Sequence, residues 1–530
     1  MSRNSSVGPV AGPGTTDDAL VAILAGRRGV EDLAADEMAV LKRNGLYHQP
    51  HAGGFLVRVK VPGGLLQSAQ LRMIAQIADS CAGGLLCLTT RQDIQLHRAQ
   101  LADAATVLEA VASAHLTTMN ACGDTTRNVV TCALQGVCPH EVADVRPLIE
   151  AISTDPRMRD ERRTLPRKNK VSVAGCNRAC GMTLINCQGW YPTPRPAADG
   201  GTEIGWRYYG GGGLGARPVL GRPVFDFVPF GLALDVTCAA TEVFNRRGNR
   251  ENRARARIKF LVQDMGVPAY GEEILGVLRE WGVAGTEAIV AAQGPSDIAP
   301  AFVDGQTVIP QRQTGFCVVR VHVPRGELSS SQAADLAQMA DDFGDGTVQL
   351  TDRQNLLFRF VPEGRAPALL DELGRRRYAT EGFERATDIV ACIGCRQCPH
   401  GQVDTVGAAE AIVKDLEQHA GLVANVGRVR IQINGCHNSC AHHWVGDIGL
   451  RGYTGQGNGQ PQPSFVLHVG GSVQGQGAIA RDVGRLAAGD AGREVRRLLA
   501  DYVATRNRPD ESFADYAQRT ALAGESRKGA

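Results

Sequence analysis

A long internal duplication constrains this chain more than any other feature. The segment GGFLVRVKVPGG (residues 53–64) is echoed by TGFCVVRVHVPRG (314–326), and LTTRQDIQLH (88–97) by LTDRQNLLFR (350–359). Arg58 falls on Arg320 and Arg91 on Arg353, a shift of 262 in both cases (320−58; 353−91). Solenoid repeats recur every ~20–50 residues, so this period is far too long for one. It predicts a fused, pseudo-two-fold pair of domains in an α+β chain. With 530 residues, the chain also exceeds what one hydrophobic core can organise.

Each copy carries the same local pattern. Phe55 to Val61 alternates and is β-rich, which predicts a strand. Ser68 then caps a helix with Leu71, Ile74, Ala75 and Ala78 on one face. Short strands follow around 85–89 and 94–97, and a helix with Val107, Leu108 and Val111 closes the unit. The second copy repeats this with Ser331, Leu336, Met339 and Ala340. A β-α-β-β-α unit is half to one whole of a ferredoxin-like sandwich.

The duplication continues into the cysteines. Cys132 and Cys138 are spaced C-x5-C, as are Cys392 and Cys398; Cys176 and Cys180 are spaced C-x3-C, as are Cys436 and Cys440. All four equivalents differ by 260 (392−132; 398−138; 436−176; 440−180). Each C-x3-C follows an alternating run, KVSVAGC or VRIQINGC, and a helical placement would bring its two sulfurs to one face. Four thiolates in one pocket suit a 4Fe–4S cluster or zinc. Structural zinc favours tight C-x2-C knuckles, whereas these pairs lie some forty residues apart, which favours the cluster. Cys392, Cys395 and Cys398 also mimic a ferredoxin loop without its closing Cys-Pro. Cys81, Cys87, Cys187, Cys238 and Cys317 read as small apolar residues. His437, His442 and His443 either bind metal or donate hydrogen bonds beside it.

A formal net charge of +2 gives no bulk attraction to nucleic acid or membrane. No apolar run is long enough to span a bilayer, and residues 1–16 read as a disordered Ser/Gly/Pro-rich tail rather than a signal peptide. The fifteen cysteines, an odd number, fit a reducing cytoplasm and cofactor ligation better than disulfides. Local basic clusters matter more than the total. Lys168 and Lys170 in LPRKNKVSV alternate on a predicted strand, so both face one side, where an anion would relieve their repulsion. Arg91 and Arg127 add forked donors for a planar oxyanion. The second copy has Arg353, Thr387, Arg428 and Arg430 at these places, so one site is predicted to act and the other to be degenerate. The basic run 246–260 is a solvated helix face, a nucleic-acid patch or a cradle for a polycarboxylate cofactor.

Taken together, these motifs resemble the siroheme-dependent sulfite and nitrite reductases, over roughly residues 37–518. The matching segments include GLYHQP, FLVRVKVPGG, TTRQDIQLH, CGDTTRNVV, LPRKNK, GGGLG, GNRENRARARIKFLV, the second cysteine quartet, GDIGLRG and ESFADY. The resemblance implies a lead-in (1–36), ferredoxin-like half domains at 37–118 and 301–380, and siroheme/4Fe–4S-type domains at 119–300 and 381–530. It implies one siroheme touching a 4Fe–4S cluster held by Cys392, Cys398, Cys436 and Cys440, with Cys440 shared between the two. Arg91, Arg127, Lys168 and Lys170 fall on the positions for substrate binding and proton delivery, and Arg250, Arg253 and Asn128 on cofactor-binding ones. Lys168-Asn169-Lys170 looks like the sulfite branch, where nitrite enzymes tend to carry Lys-x-Asn. Tyr47 and Cys122 fall where some sulfite reductases join a tyrosine to a cysteine. The electron donor would be a ferredoxin or a separate flavoprotein, since no flavin or nicotinamide domain is apparent. GGGLG is expected to let backbone approach the tetrapyrrole. This chain departs from the pattern in holding a full first-half quartet, Cys132, Cys138, Cys176 and Cys180, which raises a second cluster as an expectation. The alternatives are nitrite reduction, a precorrin-modifying enzyme of the same superfamily, and a non-catalytic Fe–S electron carrier.

Overall fold

The computed structural model describes residues 18–520, apart from 27–28, 51–52, 160–163, 198, 296–297, 303–304 and 458. The tail expected over residues 1–16 lies outside the described residues. The lead-in holds a helix, Asp18–Ala25, and a second helix, Ala35–Arg43, runs on from it.

Among the described residues, four five-stranded sheets carry the α+β fold, two for each copy. The first sheet runs Leu46–Gln49, Gly54–Val59, Ile94–Ala99, Leu85–Leu88 and then Glu327–Ser329. The second runs Val308–Pro310, Phe316–Val321, Leu356–Pro362, Thr347–Leu350 and then Leu65–Gln67. The copies have therefore exchanged their last strands. Glu327 pairs with Cys87 and Leu65 with Gln349, so the two junctions are the same contact made twice (327−65; 349−87; both 262). Sequence periodicity misses this exchange because strands of three residues carry too little alternation.

Self-complementarity extends into the side chains, as an isologous interface requires. Helix Ser68–Cys81 packs on helix Ser330–Phe343. Ser68 Oγ donates to Asp341 at 2.5 Å, and Ser330 Oγ to Asp79 at 3.0 Å. Gln92 Nε2 donates to the carbonyl of Leu350 and Gln354 Nε2 to that of Leu88, both at 3.0 Å. Ile74, Leu71, Leu336 and Ala340 share one continuous core across the junction. The helix starts differ from expectation. Ser68 is already helical behind Gln67, and in the second copy Ser329, not Ser331, caps by accepting from the Gln332 amide at 3.1 Å. In both copies the exchanged strand runs directly into the helix, which moves the cap upstream.

Gly64 and Gly326 close the turns before those strands, at φ 75° and 73°. A Cβ on Gly64 would lie 2.7 Å from Gln349 Nε2 and 2.9 Å from the Leu350 carbonyl; on Gly326 it would lie 2.7 Å from the Leu88 carbonyl. Gly64→Ala is expected to lower stability by about 2–4 kcal/mol, from left-handed strain plus overpacking at the junction. A denaturation midpoint within error of the parent would remove this account.

The other two sheets are also duplicates. One runs Val290–Ala291, Arg222–Pro229, Thr202–Gly210, Gln188–Pro196 and Val171–Val173; the other runs Val390–Ala391, Ile431–Asn434, Ile448–Gly457, Gln460–Val469 and Arg481–Ala487. Each has a parallel step, Val171 opposite Gln188 and Ile431 opposite Ile448 (431−171; 448−188; both 260). A parallel step forces a crossover loop, and that loop carries the C-x3-C pair in each copy. The loops consist of bends, turns and short 3-10 segments (Ala179–Gly181 and Thr183–Ile185 in the first, His443–Val445 in the second) rather than α-helix. Left-handed residues redirect them: Met182 at φ 52° and its counterpart His442 at φ 63°.

Candidate active site

A cavity of about 500 Å³ opens where the copies meet. The first copy contributes Thr90, Arg91, Lys168, Lys170, Asn186 and Arg257 to its wall, and the second contributes Asp352, Asn438, Ser439 and His442. Thr90 Oγ1 donates to the carbonyl of Cys440 at 2.7 Å, tying the arginine turn of one copy to the cysteine loop of the other.

Local chemistry fixes each cation. Arg91 sits in the turn between strands Leu85–Leu88 and Ile94–Ala99, where Thr89 Oγ1 accepts from the amides of Arg91 and Asp93 and Gln92 takes φ 57°. Its guanidinium donates to Asn186 Oδ1 at 2.9 Å and to the carbonyl of Asn128. Asn128 returns an amide donor to the carbonyls of Arg91 (3.1 Å) and Val61 (2.7 Å). Lys168 and Lys170 flank Asn169, whose buried amide faces Thr126 and Thr241. Both lysines reach the cavity, as their spacing predicts, although they flank an isolated bridge from Asn169 to Thr126 and the strand itself starts only at Val171. Burial, then Arg257 and Arg127, push the Lys168 ammonium down to about 7. Burial, then Arg91 and Lys168, push Lys170 well below its ordinary value. His442 is held neutral by burial and then by Lys170, with its pKa lowered to about 3. Among the described residues, none of Arg91, Lys168, Lys170 and Arg257 is ion-paired with a carboxylate. These cations thus lie unpaired in the wall, where Asp352 is the carboxylate among the lining residues and Asp93 lies within electrostatic reach of Arg91.

The pseudo-equivalent cluster shows what such a group of cations looks like when it is paired. There Arg353 pairs with Asp388 at 2.9 Å and Glu384 at 3.4 Å, and Glu384 also holds Arg430 at 3.1 Å and Arg428 at 3.4 Å. Neighbouring arginines hold both buried carboxyls well below the carboxylate range, against the opposing effect of burial. Asp388 stands where the first copy has Asn128 (388−260). Glu384 stands where it has Asp124, whose carboxylate is turned to Arg167 at 2.7 Å and Arg253 at 2.9 Å. The first copy's cations are thus free because one carboxylate is an amide and the other faces away.

The four second-copy thiols are gathered together. Cys440 lies within electrostatic reach of Cys392, Cys398 and Cys436. Backbone amides point at three of the sulfurs: Gly435 at Cys392 (3.2 Å), His400 at Cys398 and Asn438 at Cys436. Cys440 is the exposed member, next to Ser439 on the cavity wall and close enough for its charge to act on Lys168 and Lys170. Cys395 is exposed on the short helix Gly394–Gln397 and outside the group. Among the described residues no three His, Cys, Asp or Glu are grouped as a single-ion site; a 4Fe–4S cluster spreads its thiolates wider than one zinc does.

Several expected residues lie elsewhere. Arg127 does not line the cavity: its guanidinium donates to the carbonyls of Ala121 and Gly123 at 2.6 Å each, and only its charge reaches Lys168 and Arg91. Arg250 donates to Thr164 O, and Arg253 is 63% exposed against Asp124. The same basic run instead sends Arg257 into the wall and Lys259 to the GGGLG loop, where its ammonium donates to the carbonyls of Gly213 (3.2 Å) and Leu214 (3.0 Å). Helix Ile258–Met265 begins immediately after Arg257, and that start turns the run inward. Cys187 is more than filler, since its sulfur accepts from Arg257 at 3.2 Å. The RxRxK alternation at 255–259 was the available signal for Arg257 and Lys259; nothing in the sequence marked Cys187. Tyr47 and Cys122 lie within electrostatic reach of each other, but Tyr47 Oη bonds His400 at 3.2 Å and Cys122 accepts from Arg58 at 3.3 Å.

Known proteins share this organisation. The nitrite and sulphite reductase 4Fe-4S domain matches residues 122–280 and 384–501, and the nitrite/sulfite reductase ferredoxin-like half domain matches 47–114 and 309–376. An assimilatory ferredoxin-dependent nitrite reductase of Haloferax mediterranei is 30% identical, covering 88% of this chain and 80% of its own. A ferredoxin sulfite reductase of Mycolicibacterium paratuberculosis is 27% identical, covering 88% of this chain and 82% of its own. The structure of the Mycobacterium tuberculosis NirA protein superposes with a TM-score of 0.84 at 24% identity, covering 95% of each chain, so the fold is the same. The chain belongs to the nitrite and sulphite reductase family of oxidoreductases, with both of the family's domain types present twice.

Proposed function

We propose that this chain catalyses the six-electron reduction of sulfite to sulfide, drawing electrons from a ferredoxin. The observation that carries the reading is the pair Lys168 and Lys170, both on the cavity wall and neither neutralised by a carboxylate. A dianion gains more than a monoanion from each such charge. Nitrite is the second reading, supported by the relatives named as ferredoxin nitrite reductases. Both groups of relatives carry ferredoxin in their names, which supports that donor.

The lining fits the family's siroheme, a tetrapyrrole bearing many carboxylates. Arg91 Nε, Arg257 Nε, Thr131 Oγ1 and Ser439 Oγ are buried with no hydrogen-bond partner among the described residues. Gly213 leaves room for Arg257, since an added Cβ would lie 2.6 Å from its guanidinium. Arg91, Arg257 and Lys259 are suited to hold carboxylates or the loop beside them, and Cys440 would supply a thiolate ligand. When bound, siroheme and the cluster supply an open metal site and single electrons. The protein's own part is to bind the oxyanion, neutralise it and deliver protons. Lysines suit the last task, because a guanidinium does not readily release its proton. No helix among the described residues is long and apolar enough to cross a membrane.

Two measurements test the reading. Steady-state kcat/KM of the holoenzyme with both anions should favour sulfite, and a preference for nitrite would reverse the assignment. Anion binding should also be linked to pH. Lys168, at about 7, is neutral in the empty cavity above that pH, so binding must bring a proton with it. The charge of nitrite is constant between about pH 6 and 9, which makes it the cleaner probe. Its affinity should fall up to about tenfold per unit above the Lys168 pKa. An unchanged slope in Lys168→Met would show that another group takes the proton.

A further inference from the structure

Elsewhere in the cavity region the two copies have diverged: Arg127 corresponds to Thr387, Asn128 to Asp388, and Lys168 and Lys170 to Arg428 and Arg430. The cysteine scaffold has not. We propose that Cys132, Cys138, Cys176 and Cys180 hold a second 4Fe–4S cluster, set against the same cavity from the first copy's side.

Three backbone hydrogen bonds around this quartet repeat those around the second-copy quartet. The Val142 amide donates to the Gly175 carbonyl at 2.8 Å, as Gln402 does to Gly435 at 2.9 Å; these bonds lock the C-x5-C loop to the C-x3-C loop. Cys138 N reaches Leu134 O at 2.9 Å and Cys398 N reaches Gly394 O at 3.0 Å. Glu141 N donates to Cys138 O and Gly401 N to Cys398 O, at 3.1 and 2.9 Å. All these partners are 260 residues apart.

The sulfurs are supplied with donors as a thiolate cluster requires. Phe302 N donates to Cys180 Sγ at 3.3 Å and Leu134 N to Cys132 Sγ at 3.4 Å. The amides of His140 and Arg178 point at Cys138 and Cys176, as those of His400 and Asn438 do at Cys398 and Cys436. Cys132 and Cys180 lie within hydrogen-bond reach of each other. An apolar lid covers the quartet: Leu134 and Val137 pack with Ile309 and Leu357, and Phe302 packs edge-on against His140 at 4.4 Å. Gly181 and Met182, which follow Cys180, line the cavity as Ser439 and His442 do on the other side. A cluster held there would be a second one-electron store flanking the site.

Iron and acid-labile sulfide are counted per siroheme in anaerobically purified holoprotein. The proposal expects about eight sulfides, and about eight irons beyond the siroheme iron. About four of each, unchanged after incubation with ferrous iron and sulfide under reducing conditions, overturns it. Cys138→Ser should lose about half the sulfide while keeping the tetrapyrrole bands, and Cys398→Ser should lose the cluster beside siroheme. An undiminished count in Cys138→Ser overturns the proposal; should that variant fail to fold, the parent count still decides. A two-hydrogen mass deficit on peptides holding Cys132 and Cys180, with about four irons, assigns a disulfide instead and also overturns it. Absence of tetrapyrrole absorption from the parent would instead count against the proposed function, so the two failures are distinguishable.

Discussion

Cys440→Ser should abolish turnover and strip the visible spectrum of its coupled cofactors. Serine keeps the shape of the side chain but not its chemistry, because a hydroxyl stays protonated at neutral pH and is a poor partner for iron that prefers thiolate. Cys440 is the exposed member of its quartet and adjoins the cavity lysines, whereas Cys187, the thiol bonded to Arg257, is buried and lies outside the quartet. Altering a residue that merely orients a ligand costs 10–100-fold. On the proposed assignment Cys440 is itself a cofactor ligand, so its loss should exceed that, on the order of 10³-fold or more in kcat. The fold should survive, since the loop remains tied through Thr90 Oγ1 to the Cys440 carbonyl, which the substitution leaves in place. Cys395→Ser is the control: an exposed thiol in the same segment, outside the quartet, whose loss should change neither colour nor rate. Full colour and turnover in Cys440→Ser would end the assignment of the second-copy quartet to the site.

The duplicated architecture was legible because repeats at a fixed offset are a property of the string itself. Four cysteines at a shift of 260, and two arginines at a shift of 262, made the fusion plain before any packing was known. The lysine pair was legible for a simpler reason: residues two apart in extended backbone share a side, although the pair proves to flank the isolated bridge residue Asn169 rather than to lie on the strand Val171–Val173. The exchanged strands, Leu65–Gln67 and Glu327–Ser329, were not, since only tertiary pairing stabilises elements so short. Arg250 and Arg253 stood out by motif, yet direction within a basic run depends on where the next helix begins, and that places Arg257 on the wall instead. Arg127 was legible as a buried cation, but not that carbonyls of its own loop would take its guanidinium.

Asn128→Asp should disable the anion site by restoring the arrangement of the second copy. Asp388 occupies the equivalent place and holds Arg353 in a 2.9 Å ion pair. A carboxylate at Asn128 would find the carbonyls of Val61 and Arg91 where the amide now donates, and repulsion would drive it toward the Arg91 guanidinium. The substitution therefore does two things: it removes two hydrogen bonds and it neutralises a cation. Asn128→Ala separates them, since it removes the same bonds without adding charge. Both variants should lose stability, about 1–3 kcal/mol for the unpaired buried carbonyls. Only Asn128→Asp should also lose the preorganised charge, which is worth roughly 10²–10³-fold at an oxyanion. Its kcat/KM should thus fall about 10²-fold below that of Asn128→Ala. Most of that gap should appear in KM if Arg91 mainly binds the ground-state anion, and in kcat if it acts on charge developing at the oxygens. Equal kinetics in the two variants would mean that Arg91 needs no freedom from carboxylates, and that the proposed difference between the two copies must lie with Lys168 and Lys170.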